Sequence, residues 1–208
     1  MHFRHGLLSV IWLTGLLLAG CSSQPEESDI TTYLLPQAPE QSAPALVTQQ
    51  PILVVLPVEM ALHLTGTGLV YQTSSTAVVQ AQQNLWAEDI VRQLTRRING
   101  DLRLKQSRYW PTELSAAIKT TNVPKLQVRV NAFNGHFSGS AYFSGEWILT
   151  GQTGDLKTVQ PFNFQVPLKE PGYSAQVDAL SEAVNRLTTQ VAQRVSAVTL
   201  YSGERSSL

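Results

Sequence analysis

Residues 126–132 read Leu126-Gln127-Val128-Arg129-Val130-Asn131-Ala132, and residues 141–149 read Ala141-Tyr142-Phe143-Ser144-Gly145-Glu146-Trp147-Ile148-Leu149. In the first, Leu126, Val128, Val130 and Ala132 alternate with Gln127, Arg129 and Asn131. In the second, Ala141, Phe143, Trp147 and Leu149 alternate with Tyr142, Ser144, Glu146 and Ile148. A period of two marks a strand with one packed face. Phe162, Phe164, Val166 and Leu168 repeat the pattern, and Gly151-Gln152-Thr153-Gly154-Asp155 supplies a turn before it. Asn134-Gly135 and Gly139 have the chemistry of a turn between the first two runs. The stretch therefore predicts an antiparallel meander whose packed face needs a cover.

The cover lies downstream. After Pro171-Gly172, from Ser174 to Leu200, the residues Val177, Leu180, Val184, Leu187, Val191, Val195 and Val198 step by three and four. That stripe predicts a long amphipathic helix lying on the sheet, although the same spacing would serve a helix pairing with another subunit. Upstream, Trp86, Ile90, Val91, Leu94 and Ile98 recur at helical spacing, with Asn84 or its neighbours as cap and Asn99-Gly100 as the end. Arg92, Arg96 and Arg97 read as the solvated side of that helix. Ile52 to Val58 is an apolar run ending at Pro57, expected as a strand buried on both faces. Leu69–Thr73 and Ala77–Gln80 form a hairpin around Ser74 and Ser75, and Tyr33-Leu34-Leu35 is expected as a short first strand. Weaker signals suggest a strand at Leu102–Leu104 and a helical turn at Glu113–Lys119. The fold class expected is α/β in the α+β sense: a mixed, mainly antiparallel sheet with two principal helices on one face. One domain over residues 51–200 accounts for it, preceded by a tether and loop at 21–50 and followed by a disordered tail at 201–208.

The N-terminus explains the chain's only cysteine. Arg4 precedes an apolar run from Leu7 to Leu18, and Leu18-Ala19-Gly20-Cys21 closes it with small residues. This is the layout of a secretory signal, residues 1–20. The run is shorter than the roughly 20 residues of a membrane-spanning helix. A lone thiol in an oxidising compartment cannot form an intramolecular disulfide. Leu18-Ala19-Gly20-Cys21 looks like a bacterial lipobox, in which the new N-terminal cysteine carries acyl chains. Two or three chains at about 0.8 kcal/mol per buried methylene hold a protein to a membrane permanently. In lipoproteins of this type an aspartate after the cysteine retains the protein at the inner membrane. Here Ser22 and Ser23 follow, which favours the outer membrane. Ser22 to Thr32, acidic and without apolar periodicity, reads as a tether.

Lys+Arg and Asp+Glu each number 15, and with Arg4 removed the mature chain holds 14 basic against 15 acidic residues. Such neutrality does not suit nucleic acid, whose binding needs clustered cations. Neither HExxH, GxSxG nor a Walker A pattern occurs. His63 and His136 are the mature chain's two histidines, without a cysteine to join them in a metal site. No metal, cofactor or catalytic residue is expected. Glu146 beside Trp147 could serve as a general acid if buried; on a strand's polar side it would instead face solvent or pair with an arginine. Glu88 and Asp89 suit the first turn of a helix through its dipole. Gly66-Thr67-Gly68 starts like a dinucleotide fingerprint, but Tyr71 stands where the third glycine belongs.

Tyr33-Leu34-Leu35-Pro36, the run Leu64-Thr65-Gly66-Thr67-Gly68-Leu69-Val70-Tyr71-Gln72-Thr73-Ser74, Asn84-Leu85-Trp86-Ala87, Phe133-Asn134-Gly135 and Ser144-Gly145-Glu146-Trp147 together resemble the ABC-type transport auxiliary lipoproteins. The likeness spans nearly the whole mature chain. It implies an α/β sandwich domain at the outer-membrane side of a system whose MCE-domain protein crosses the periplasm with lipid. It brings no catalytic residues, and it makes Cys21 the lipid attachment site. Leu69, Val70, Tyr71 and Trp86, from the most specific blocks, are the candidate partner-binding residues; packing in the core is the other account of them. Two functions follow. One is a docking lipoprotein for the MCE-domain protein, with a homo-oligomeric ring as the expected assembly. The other is a carrier that holds a lipid between helices and sheet. A periplasmic hydrolase would need a nucleophile and base that the sequence does not offer.

Overall fold

The computed structural model describes residues 29–37, 50–118 and 121–201. Cys21, the signal segment, the tether up to Ser28 and the tail after Tyr201 lie outside the described residues. The order of elements is β1 (Thr31–Tyr33), β2 (Ile52–Val55), β3 (Glu59–Met60), a 3-10 turn at Leu62–Leu64, β4 (Gly68–Gln72), β5 (Val78–Trp86), α1 (Ile90–Lys105), β6 (Trp110–Glu113), β7 (Lys125–His136), β8 (Ser140–Thr150), β9 (Leu156–Pro167) and α2 (Tyr173–Ala197).

The alternating stretch is the centre of the sheet. β7 pairs antiparallel with β8 from Lys125↔Thr150 to His136↔Ser140, and β8 continues antiparallel to β9. The opposite edge of β7 is shared by three short parallel strands. β2 meets Lys125 and Leu126, β3 meets Arg129 and Val130, and β4 meets Gly135 and His136. β5 pairs antiparallel with β4, β1 parallel with β5, and β6 parallel with β2. The sheet is thus mixed, with its long registers antiparallel, as expected.

The alternation holds except where β7 bulges. The register slips between Val130 and Ala132, so the inward series Leu126, Val128, Val130 resumes at Phe133. One extra residue exchanges the two faces, which leaves Ala132 half-buried instead of packed. Gly145 faces Val130 across the pair, and a Cβ there would overlap the Arg129 carbonyl. Asn134-Gly135 does not turn the chain. Both lie inside β7, and the turn is made by Phe137 to Gly139, where Gly139 has φ +78°.

Val177, Leu180, Val184, Leu187, Val191 and Val195 are buried along α2, which lies on β7, β8 and β9 and also against α1. Beneath it, Phe143 meets Phe133 edge-on at 5.2 Å and Phe162 at 4.8 Å. Trp147 is fully buried. Each such side chain contributes about 1.5–3 kcal/mol relative to exposure.

Several boundaries move. α1 starts four residues after Trp86, which ends β5, and Asp89 caps it by accepting the Arg92 N–H at 2.9 Å. It runs through Asn99-Gly100 and takes in Leu102–Leu104, because Ile98 and Leu102 continue the buried stripe. Burial of those two outweighs the roughly 1 kcal/mol that glycine costs within a helix. β1 lies two residues earlier than the Leu34-Leu35 pair suggests. β2 stops at Val55, ahead of Pro57, whose missing N–H cannot join a ladder. At Glu113 a short strand ends where a helical turn was expected to begin.

Arg97 is also not on a solvated side. It is 6% exposed and holds buried Asp101 at 2.7 Å, while Asp101 accepts from Thr188 of α2 at 2.8 Å. Its guanidinium also reaches Ser181 at 3.0 Å and the Pro36 carbonyl. Lys105 joins this group from its rim, and burial first of all lowers its pKa, against the pull of Asp101.

Candidate functional site

The stretch Leu69-Val70-Tyr71 alternates across β4, and its neighbours decide which side chains reach the surface. Leu69 is fully buried and Val70 is 3% exposed. Trp86 is 7% exposed, its ring 6.1 Å from that of Phe133. These three belong to the core, which leaves Tyr71 as the one member of the expected partner surface that another molecule can touch. Tyr71 is half-buried and donates its hydroxyl to the His136 carbonyl at 3.1 Å.

Opposite Tyr71 on β7 stands Gly135. A Cβ there would run into both the Tyr71 ring and the Gln176 amide. The glycine thus lets β4 and α2 close on one another, and Gln176, buried, donates to the Val70 carbonyl at 3.0 Å. Beyond this contact an open cleft of about 500 Å³ lies between Tyr71, Gly139, Leu168, Pro171 and Tyr173, with Lys169 and Glu170 at its rim. A volume in that range suits a side-chain cluster of a partner or a small ligand. A second cleft of about 430 Å³, on the other side of the Lys169–Glu170 loop, is bordered by Asp178, Glu182 and Arg186 and is more polar.

Beside the first cleft, the His136 ring lies 4.1 Å from that of Phe137 and 4.3 Å from that of Tyr142. Its Nδ1 accepts the Ser138 N–H at 3.1 Å. Phe137 itself is 54% exposed. The sequence signals for this site were present but ambiguous. Pro171-Gly172 reads as a helix start, which it is, and Gly135 reads as a turn, which it is not.

Glu146 lies on the uncovered face of the sheet, where Arg129 binds it at 3.1 Å and Glu59 at 2.9 Å. The hydrogen bonds that Arg129 donates to Glu146 and Glu59 raise its guanidinium pKa above the ordinary value. This is the arginine-paired role. Among the described residues no three of His, Cys, Asp and Glu are gathered as metal ligands. No helix among them is long and apolar enough to cross a membrane.

Residues 33–192 match the family described as ABC-type transport auxiliary lipoprotein component. The chain belongs to this family. Among auxiliary lipoproteins it is similar to the intermembrane transport lipoprotein PqiC of Escherichia coli (strain K12) and of Shigella flexneri. Identity to each is 30% over 188 residues, covering 89% of this chain and 96% of the relative. Of solved structures, an uncharacterised protein superposes with a TM-score of 0.67 at 27% identity, covering 81% of this chain and 99% of the other. A Xanthomonas campestris protein, with a TM-score of 0.62, 14% identity and 80% and 96% of the two chains covered, shares the fold. The auxiliary lipoprotein model begins at β1 and ends within α2, so it takes in β4, β7 and the start of α2 that form the cleft.

Proposed function

We propose that this auxiliary lipoprotein is a non-enzymatic docking module, held to the outer membrane by acyl chains on Cys21, that receives a membrane-spanning MCE-domain protein in intermembrane lipid transport. The observation that carries the reading is the similarity to PqiC, named an intermembrane transport lipoprotein, across 89% of the chain. Ser22 and Ser23 after the cysteine support the outer membrane as its place. A core that runs from Leu35 to Leu200 supports a single domain, and with β1 and Leu35 it takes in residues ahead of the expected start at 51. The partner contact proposed is the cleft beside Tyr71. A homo-oligomeric ring fits a tubular partner, since a ring supplies the matching axis.

The test is affinity capture from membranes in mild detergent, with the lipidated protein beside a version lacking residues 1–21, and mass spectrometry of protein and lipid. Capture of an MCE-domain protein by both versions supports docking by the folded domain. Stoichiometric phospholipid in the soluble version, with no protein partner, overturns docking in favour of a lipid carrier. Recovery of the acylated protein with the inner membrane on fractionation would refute the sorting assignment.

A further inference from the structure

We propose that the end of the sheet formed by the β4–β5 and β7–β8 turns lies against the bilayer. This rests on anchorage through Cys21 and deepens it, by assigning the domain an orientation.

The registers define that end. Val78 pairs with Gln72, Gln72 with His136, His136 with Ser140 and Ser140 with Pro167, so five strands begin or stop along one row. α2 starts there as well, just after β9. β1 enters the sheet parallel to β5 with Thr31 beside Asn84. The chain before Thr31 is therefore directed back along β5 toward Val78; β5 bulges on the way, so that its stretch from Leu85 to Val78 covers only Gly68 to Gln72 of β4, about 13 Å. Cys21 precedes Thr31 by ten residues, whose extended reach is about 33–36 Å. That reach exceeds the distance from Thr31 to this end of the sheet.

The surface there suits an interface with lipid. Thr73-Ser74-Ser75-Thr76-Ala77 and Phe137-Ser138-Gly139 carry no charge. Phe137 and Val78 are 54% and 47% exposed, and Lys169 next to Glu170 adds no net charge. At the opposite end of the sheet the turn after β8 bears Asp155 paired with Lys157 beside Leu156, which is 63% exposed, and Lys125 begins β7, so that end carries one charged group more than the Lys169 and Glu170 of the first. Uncharged turns with a projecting aromatic side chain lose little on entering the headgroup region, whereas charged groups lose their hydration. A partner seated in the Tyr71 cleft, which opens beside Phe137, would then arrive at the membrane surface.

The test uses the full acylated protein in vesicles of phosphatidylethanolamine and phosphatidylglycerol. With Cys21 acylated, Ser138→Cys and Thr153→Cys each present one thiol for an environment-sensitive fluorophore, at the two ends of the sheet. The label at 138 should shift to the blue and lose most of its emission to a lipid-borne quencher, and the label at 153 should do neither. Adding Phe137→Ser to Ser138→Cys should reduce the quenching. Water-like emission from both labels, in protein that floats with the vesicles and carries acyl chains, overturns the orientation and leaves the anchor standing. An unacylated Cys21 by mass spectrometry, with no flotation, overturns the anchor and the orientation with it.

Discussion

The Leu35 N–H donates to Gln93 Oε1 at 2.7 Å, joining the segment after β1 to α1 across 58 positions of sequence with both groups buried. Gln93 Nε2 donates at the same time to the Glu88 carbonyl at 2.9 Å, so the amide is used at both ends. Replacing it with methionine keeps the volume but leaves the Leu35 N–H without a partner. A buried orphan of this kind costs about 1–3 kcal/mol. Urea denaturation of Gln93→Met should show that loss with an unchanged slope; no loss would mean that the Leu35 segment contributes nothing to the stability of the fold.

Tyr71 divides docking from folding. Tyr71→Phe gives up only the bond to the His136 carbonyl, at about 1 kcal/mol, and should retain partner capture. Tyr71→Asp should abolish capture while the protein still unfolds cooperatively. If Tyr71→Asp instead prevents folding, the ring is structural and the cleft loses its assigned role.

Gly100 sits in the middle of α1 with no atom within 4 Å of where a Cβ would stand. Alanine there narrows the unfolded ensemble without a clash, so Gly100→Ala should stabilise by about 0.5–1 kcal/mol. A thermal melt with the midpoint unmoved or lowered would contradict the continuous helix.

Tyr201 gives a pH signature. Burial raises its phenol above the ordinary 10.0, and the hydroxyl donates to the Ile52 carbonyl at 2.8 Å, a bond that only the protonated phenol can make. The folded chain therefore keeps this proton more tightly than the unfolded one, and the linked stability is complete below pH 10 and falls as pH rises through and beyond it. Tyr201→Phe should lose about 1 kcal/mol at neutral pH yet decline less steeply above pH 10. Lys105, with its pKa lowered, acts in the opposite sense but is common to both proteins. Parallel curves for the two proteins would remove Tyr201 as the source.

The meander and α2 were legible because period two and period 3.6 are written in apolar residues that each element buries on one face. α1 was legible only in part. Its buried side carries Gln93, Thr95 and Arg97 beside the aliphatic stripe, since two irregular segments cross it and need partners for their backbone groups. Thr95 Oγ1 accepts the Val58 N–H at 3.0 Å, and Arg97 serves Pro36. Hydrophobic periodicity does not register such positions, and so Arg97 reads as surface. The cleft was harder still. Tyr71 could be singled out, but Gly135, Gln176 and Tyr173 come from segments up to 105 residues apart in the chain, and only the pairing of β4 with β7 places them together.

The divided edge of β7 has a consequence for the order in which the chain folds. β8 and β9 follow β7 directly, so one side of the sheet can assemble from neighbours in sequence soon after collapse. β2, β3 and β4 lie about 60 to 70 positions upstream of their β7 partners, and their ladders with β7 cannot be completed until residues 126, 130 and 136, respectively, have been made. Closing such long loops is slow. A chain that emerges from its N-terminus can pair β4 and β1 with β5, yet it holds the edges of β2, β3 and β4 that belong to β7 open until that strand arrives, and during that interval it depends on being kept from aggregating.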